Sequence, residues 1–106
     1  LHVKAIQAAE AARGVAEAVA QGRYEDASGE AAALFRRIHQ VLPNLSGSIR
    51  RALIDVSDSA VAAAATAVAT GDDGQGWRNL HYAVNHLKER VSILEAAVTG
   101  PVEDWA

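Results

Sequence analysis

Between Trp77 and Val98 the apolar residues Trp77, Leu80, Val84, Leu87, Val91, Leu94 and Val98 recur at alternating steps of three and four. That rhythm gives one seam on a helix, whereas a strand would alternate at every second residue. At 1.5 Å per residue the segment is a rod of roughly 33 Å. A seam of that length is covered only by other helices running alongside, so the rest of the chain must supply them.

It does so in order. From Leu1 to Gln21 the positions Leu1, Ala5, Ala8, Ala12, Val15 and Val19 keep the same rhythm, with Lys4, Gln7, Glu10, Arg13, Gly14, Glu17 and Gln21 on the opposite side. This is an amphipathic helix that Gly22 is placed to end with a left-handed cap. A second helix is expected from about Ala27, with Asp26 or Ser28 as its N-cap. Ala31, Leu34, Ile38 and Val41 or Leu42 face inward there, with Phe35 beside them. Pro43 stops it, because a residue before proline is driven out of helical space. Ser46 or Ser48 then caps a third helix to Thr70, with Ile49, Leu53, Val56, Ala60, Ala64 and Ala67 inward. A second apolar row, Ile54, Val61, Ala65 and Val68, gives this helix a wide apolar arc. Gly71 to Gly76 form a loop containing Asp72 and Asp73, and Trp77 closes one end of the core.

The expectation is an all-α antiparallel up-down four-helix bundle with short loops. It forms a single domain over 1–106, with helices at about 1–21, 27–42, 48–70 and 77–98 and a tail at 99–106. Alanine supplies 24 residues and aromatics five, so Leu, Ile and Val must interleave with Ala, and helix axes can come close. The chain has no cysteine, which excludes disulfides, thiolate zinc sites and a cysteine nucleophile. It has no methionine either, so we expect Leu1 not to be the encoded start. A net charge of −3 with mixed signs argues against general attraction to nucleic acid or anionic lipid. No apolar run approaches the ~20 residues of a membrane span, so a soluble chain is expected, with the cytoplasm as the default compartment.

Two local resemblances bear on function. Gly22, Arg23, Tyr24, Glu25, Asp26 and Ala27, followed by Leu42, Pro43 and Asn44, resemble the turn and second helix of a tetratricopeptide repeat. Ala27 to Pro43 is about one helical turn longer than in that repeat, and nothing recurs at a fixed period. The resemblance implies protein or peptide binding. His86, Leu87 and Lys88 are similar to the histidine, apolar, lysine order of histidine phosphotransfer domains, themselves four-helix bundles. That likeness implies an exposed phosphoryl-accepting histidine at His86. The small residues that follow in that family are here Glu89 and Arg90, and an acid so placed repels an incoming phosphoryl group.

Other candidates have simpler readings. His81 and His86 lie about 140° apart around a helix, so they cannot share a metal from one face. We expect His81 partly buried and His86 solvated. Arg36, Arg37 and His39 close the second helix while Arg50 and Arg51 open the third. A tight turn would gather them into one basic patch fit for phosphate, an acidic partner or a nucleic-acid backbone. The helix dipole accounts for the first group and not for Arg50 and Arg51. Asp72 and Asp73 lack the alternating oxygen ligands of a calcium loop.

We therefore expect a non-enzymatic protein-interaction or oligomerisation module with no cofactor and no metal, whose partner is a second copy or another protein. The contact is expected on Ile54, Val61, Ala65 and Val68, with Trp105 of the tail as a second anchor. The alternatives are a ligand-binding or phosphotransfer bundle using His81, Tyr82 and His86, and nucleic-acid binding through Arg36, Arg37, Arg50 and Arg51.

Overall fold

A computed structural model describes residues 2–45, 47–70 and 76–99, apart from the side chains of His2, Gly76 and Trp77. Helix α1 spans His2–Ala20, α2 Tyr24–Val41, α3 Gly47–Thr70 and α4 Gly76–Thr99, with a 3-10 turn at Leu42–Asn44. The described residues form an all-α four-helix bundle, 45 Å long and 20 by 17 Å across. Expectations about Leu1, Ser46, the Trp77 side chain, the loop at 71–75 and the tail with Trp105 fall outside the described residues.

The α1–α2 connection is made by backbone chemistry. Gly22 takes φ +78°, a left-handed conformation that costs glycine little. Its N–H reaches Val19 O at 3.1 Å, and the Arg23 N–H reaches Ala18 O at 2.8 Å. These paired bonds satisfy the last carbonyls of α1. The chain emerges already turned, so α2 begins at Tyr24, one turn before the expected Ala27. Arg23 precedes it with no side-chain cap, and neither Asp26 nor Ser28 caps. Glu25 and Asp26 lie instead within the first turn, where negative charge meets the positive end of the helix dipole.

At its other end α2 yields to the 3-10 turn around Pro43, and the Leu45 N–H returns to Leu42 O at 3.1 Å. Leu42 and Leu45 are both buried and pin the turn to the core. A five-residue link spans at most about 17 Å, while α3 is about 36 Å long. Successive helices must therefore run antiparallel.

Every inward residue expected for the described parts of the four helices is buried, from Ala5, Val15 and Val19 through Leu34 and Ile38 to Leu53, Leu87, Val91 and Leu94. Burial extends further than one seam on α1 and α3, where Ala9, Ala16, Ala18, Ala52, Ser57, Ser59 and Ala63 are also enclosed. The reason lies in how the helices are arranged. Each packs on its sequence neighbours, α1 also packs on α4, and α1 and α3 meet across the diagonal while α2 and α4 hardly touch. The cross-section is a rhombus whose short diagonal joins the two alanine-rich helices, since methyl side chains let axes approach closely.

By length and composition α3 is apolar enough to cross a membrane, with mean hydropathy 1.4 over its best window, and half of that window is buried inside the bundle. The same values characterise the central helix of a helical core.

Candidate interaction surfaces

The flanks of α1 identify its neighbours. Lys4, Gln7 and Ala11 border a groove shared with Arg37, Ile38, Gln40 and Val41 of α2. On the other flank Arg13, Ala16, Glu17 and Ala20 share a hollow with Lys88 and Val91 of α4. Arg13 also pairs with Glu95 of α4, its Nε donating to Oε2 at 3.2 Å. The carboxylate holds the Arg13 proton above the ordinary guanidinium value, chiefly through this hydrogen bond and against some desolvation.

The other flanks follow from helix geometry. At about 100° per residue, Phe35 and Arg37 lie on opposite sides of the buried stripe of α2. Arg37 faces α1, so Phe35 is on the flank toward α3. An antiparallel bundle has a pseudo-two-fold along its axis that carries α1 onto α3 and α4 onto α2. Arg13, Glu17 and Ala20, at one, five and eight residues beyond buried Ala12, face α4. The corresponding positions beyond buried Val56 are Ser57, Val61 and Ala64, and these face α2. Val68 lies on the same flank, with Ile54 and Ala65 just outside it.

Along the α2–α3 seam this leaves an apolar strip open to solvent. Val61 is 40% exposed, Val68 58% and Phe35 41%. Ala65 is exposed and Ile54 is half-buried against the core. Phe35 was expected beside the core; it stands outside it because Leu34 and Ile38 already fill the α2 stripe. Its ring stacks on His39 with centroids 4.0 Å apart, and His39 Nδ1 lies 2.9 Å from Phe35 O. Beneath this strip Ser57 is fully buried, and its Oγ has no hydrogen-bond partner among the described residues.

The histidines of α4 do not sit as expected. His81 is exposed rather than partly buried, because the seam at Leu80 and Val84 is filled from α1 and it is left on the rim of a hollow with Val19, Ala20, Tyr24 and Lys88. His86 is half-buried rather than solvated. It lies on the flank of α4 opposite Lys88 and Glu95, hence toward α3, and stacks on Tyr82 with centroids 6.2 Å apart and planes 10° from parallel. Tyr82 is 72% exposed. Among the described residues no group of three His, Asp or Glu side chains could hold a metal ion.

Arg36, Arg37, Arg50 and Arg51 are all exposed, and the turn does not gather them around one hollow. Arg37 lines the α1–α2 groove, whereas Arg50 and Arg51 line a shallow hollow with Gly47, Ile54 and Asp55. The α1–α2 groove itself, about 620 Å³, is not legible in the sequence, because the pattern does not say which flank of α1 meets α2. No family model, curated protein or solved structure matches this chain.

Proposed function

We propose that the chain is a non-enzymatic helical association module that binds a second copy, or another protein, through the α2–α3 face formed by Phe35, Ile54, Val61, Ala65 and Val68. One observation carries the reading: Val61 and Val68 remain 40% and 58% exposed on a helix whose opposite side already supplies the bundle core. Isolated exposed apolar side chains are ordinary on protein surfaces. Here Val61 and Val68 follow one another along a single seam, and Phe35 of the adjacent helix lies on the same seam nearer the turn at Pro43. Contiguous strips of that kind mark contact surfaces. The small side chain of Ala65 beside them lets another helix lie close.

The test is absolute mass by light scattering across a concentration series. A monomer of 11.1 kDa that doubles in mass with concentration supports self-association. Val61→Glu with Val68→Glu should return it to the monomer without loss of helix content. A chain that stays monomeric up to millimolar concentration refutes self-association and leaves a different protein as the partner. If the glutamate pair then fails to abolish capture of that partner from the native host, the face itself is refuted.

A further inference from the structure

The α2–α3 face carries charge as well as apolar side chains, and helix geometry orders that charge. Glu25 and Arg36 are eleven residues apart on α2, about three turns, which sets them within about 20° of one another around the axis. Both are exposed and point away from the buried stripe of Ala27, Ala31, Leu34 and Ile38. Between them on that side stand only Ser28, Gly29 and Ala32, all exposed. No atom lies within 4 Å of where a Cβ on Gly29 would be. The outer surface of α2 is thus low in the middle, anionic at one end and cationic at the other.

Neither charge is answered within its own helix. The positions three and four residues from Glu25 are Gln21, Gly22, Ser28 and Gly29, none of them a cation, and Arg23 is paired with Asp26. Arg36 has Ala32, Ala33, His39 and Gln40 at the same spacings. Among the described residues neither Glu25 nor Arg36 forms an ion pair or side-chain hydrogen bond. The other charges nearby sort by flank. Glu10 lines the groove on the α1 side of α2 with Arg37, and Glu30 lies against Gly14 of α1. His39 and Arg50 lie at the Arg36 end of the face, beside the turn that joins α2 to α3. Asp58 is four residues past Ile54, so about 40° further from α2, on the outer edge of α3.

We infer that the occupant of the association face is a second copy of this chain, lying antiparallel across a two-fold perpendicular to the bundle axis, so that α2 rests on α2 and α3 on α3. The inference rests on the association reading above and adds to it the partner and its orientation. The two-fold crosses α2 between residues 30 and 31, which brings Arg36 of each copy to Glu25 of the other. Gly29 and Ala32 come to the crossing, where their size lets the two helices approach. Phe35 arrives at the level of residues 25–28 of the second copy, where Ser28 leaves room for a ring. Contacts of this self-matching kind are the commonest in oligomers. Parallel copies would instead gather Arg36 and Arg50 of both chains at one end, and like charges set together across an interface are disfavoured.

The experiment is sedimentation velocity of the full 106-residue chain, of Arg36→Glu, of Glu25→Arg, of the double reversal carrying both, and of an equimolar mixture of the two single variants. Circular dichroism checks that each remains helical. Expected is a concentration-dependent dimer of the original chain. Each single reversal sets like charges together at both ends and should weaken self-association by about tenfold or more. In the mixture every acid again meets an arginine, so it should dimerise like the original chain, as should the double reversal. High salt should narrow these differences. A mixture no heavier than its components, a double reversal that stays dissociated, or single reversals that associate like the original would each overturn the antiparallel arrangement. If Val61→Glu with Val68→Glu still dissociates the dimer in that case, the face stands and only this arrangement falls. An original chain that stays monomeric to millimolar concentration overturns the inference outright and leaves the face to a different protein.

Discussion

Ser57→Ala should make the protein more stable, and the reason is specific to where the hydroxyl lies. Ser57 is fully buried between α2 and α3, and Oγ has no partner among the described residues. A buried hydroxyl without a hydrogen bond forfeits the one it had in water, at a cost of about 1–3 kcal/mol. Alanine removes that group and is the better helix former by about 0.5 kcal/mol. Against this stands the loss of one atom's packing, a few tenths of a kcal/mol. The balance is a gain of about 1–3 kcal/mol. A gain of 1 kcal/mol raises Tm by about 4–8 °C in a domain near this size, so the shift is readily seen. The assay is urea denaturation followed by circular dichroism, with the midpoint and slope fitted together. Ser59→Ala is the control: Ser59 keeps 6% exposure and its hydroxyl is not orphaned, so only the propensity gain of about 0.5 kcal/mol is expected. A loss of more than about 0.5 kcal/mol in Ser57→Ala, at unchanged slope, would refute the reasoning, because it would mean that the hydroxyl is satisfied in the folded protein.

Leu87 is fully enclosed at the centre of the α4 seam, so Leu87→Ala should cost about 2–5 kcal/mol, measured by the same denaturation. A loss below about 0.5 kcal/mol would place that seam outside the core. Gly22→Ala should cost about 1 kcal/mol although no atom lies within 4 Å of the added methyl, since the penalty comes from φ +78° alone. Gly29→Ala, in a helix with equally open space, should instead gain about 0.5–1 kcal/mol. Arg13 and Glu95 are each nearly half exposed, so Arg13→Ala should lose only about 0.5 kcal/mol, less in 1 M salt. A raised guanidinium pKa stabilises the fold at every pH below arginine's ordinary value and is lost only as pH climbs through the folded one. Arg13's own ionisation should therefore give this loss no pH dependence across the neutral range.

The helices were legible because each carries its own period. Leu80, Val84, Leu87, Val91, Leu94 and Val98 announce α4, and Pro43 announces the end of α2. The start of α2 was not legible in the same way. Asp26 and Ser28 are good capping residues by type, but the turn is decided by Gly22 and by two backbone bonds that have no side-chain signature. The proposed association face is half legible: Ile54, Val61, Ala65 and Val68 form a visible second row, yet Phe35 is added to it only once the flanks of α2 are assigned. The exposure of His81 and His86 is not legible for a related reason. Sequence spacing fixes an angle around one helix, but exposure depends on which neighbour stands at that angle. The α1–α2 groove likewise belongs to a pair of helices, and neither one announces it alone.

The short α1–α3 diagonal also governs how a disturbance spreads. Because α2 and α4 hardly touch, a side chain changed on one is sensed by the other only through the alanine spine between them. Changes on those outer helices should combine additively, as distant sites do. Enlarging an alanine in the spine, such as Ala12 or Ala60, acts as a wedge instead: it parts α1 from α3, shortens the reach between α2 and α4, and sets all four helices a new spacing at once.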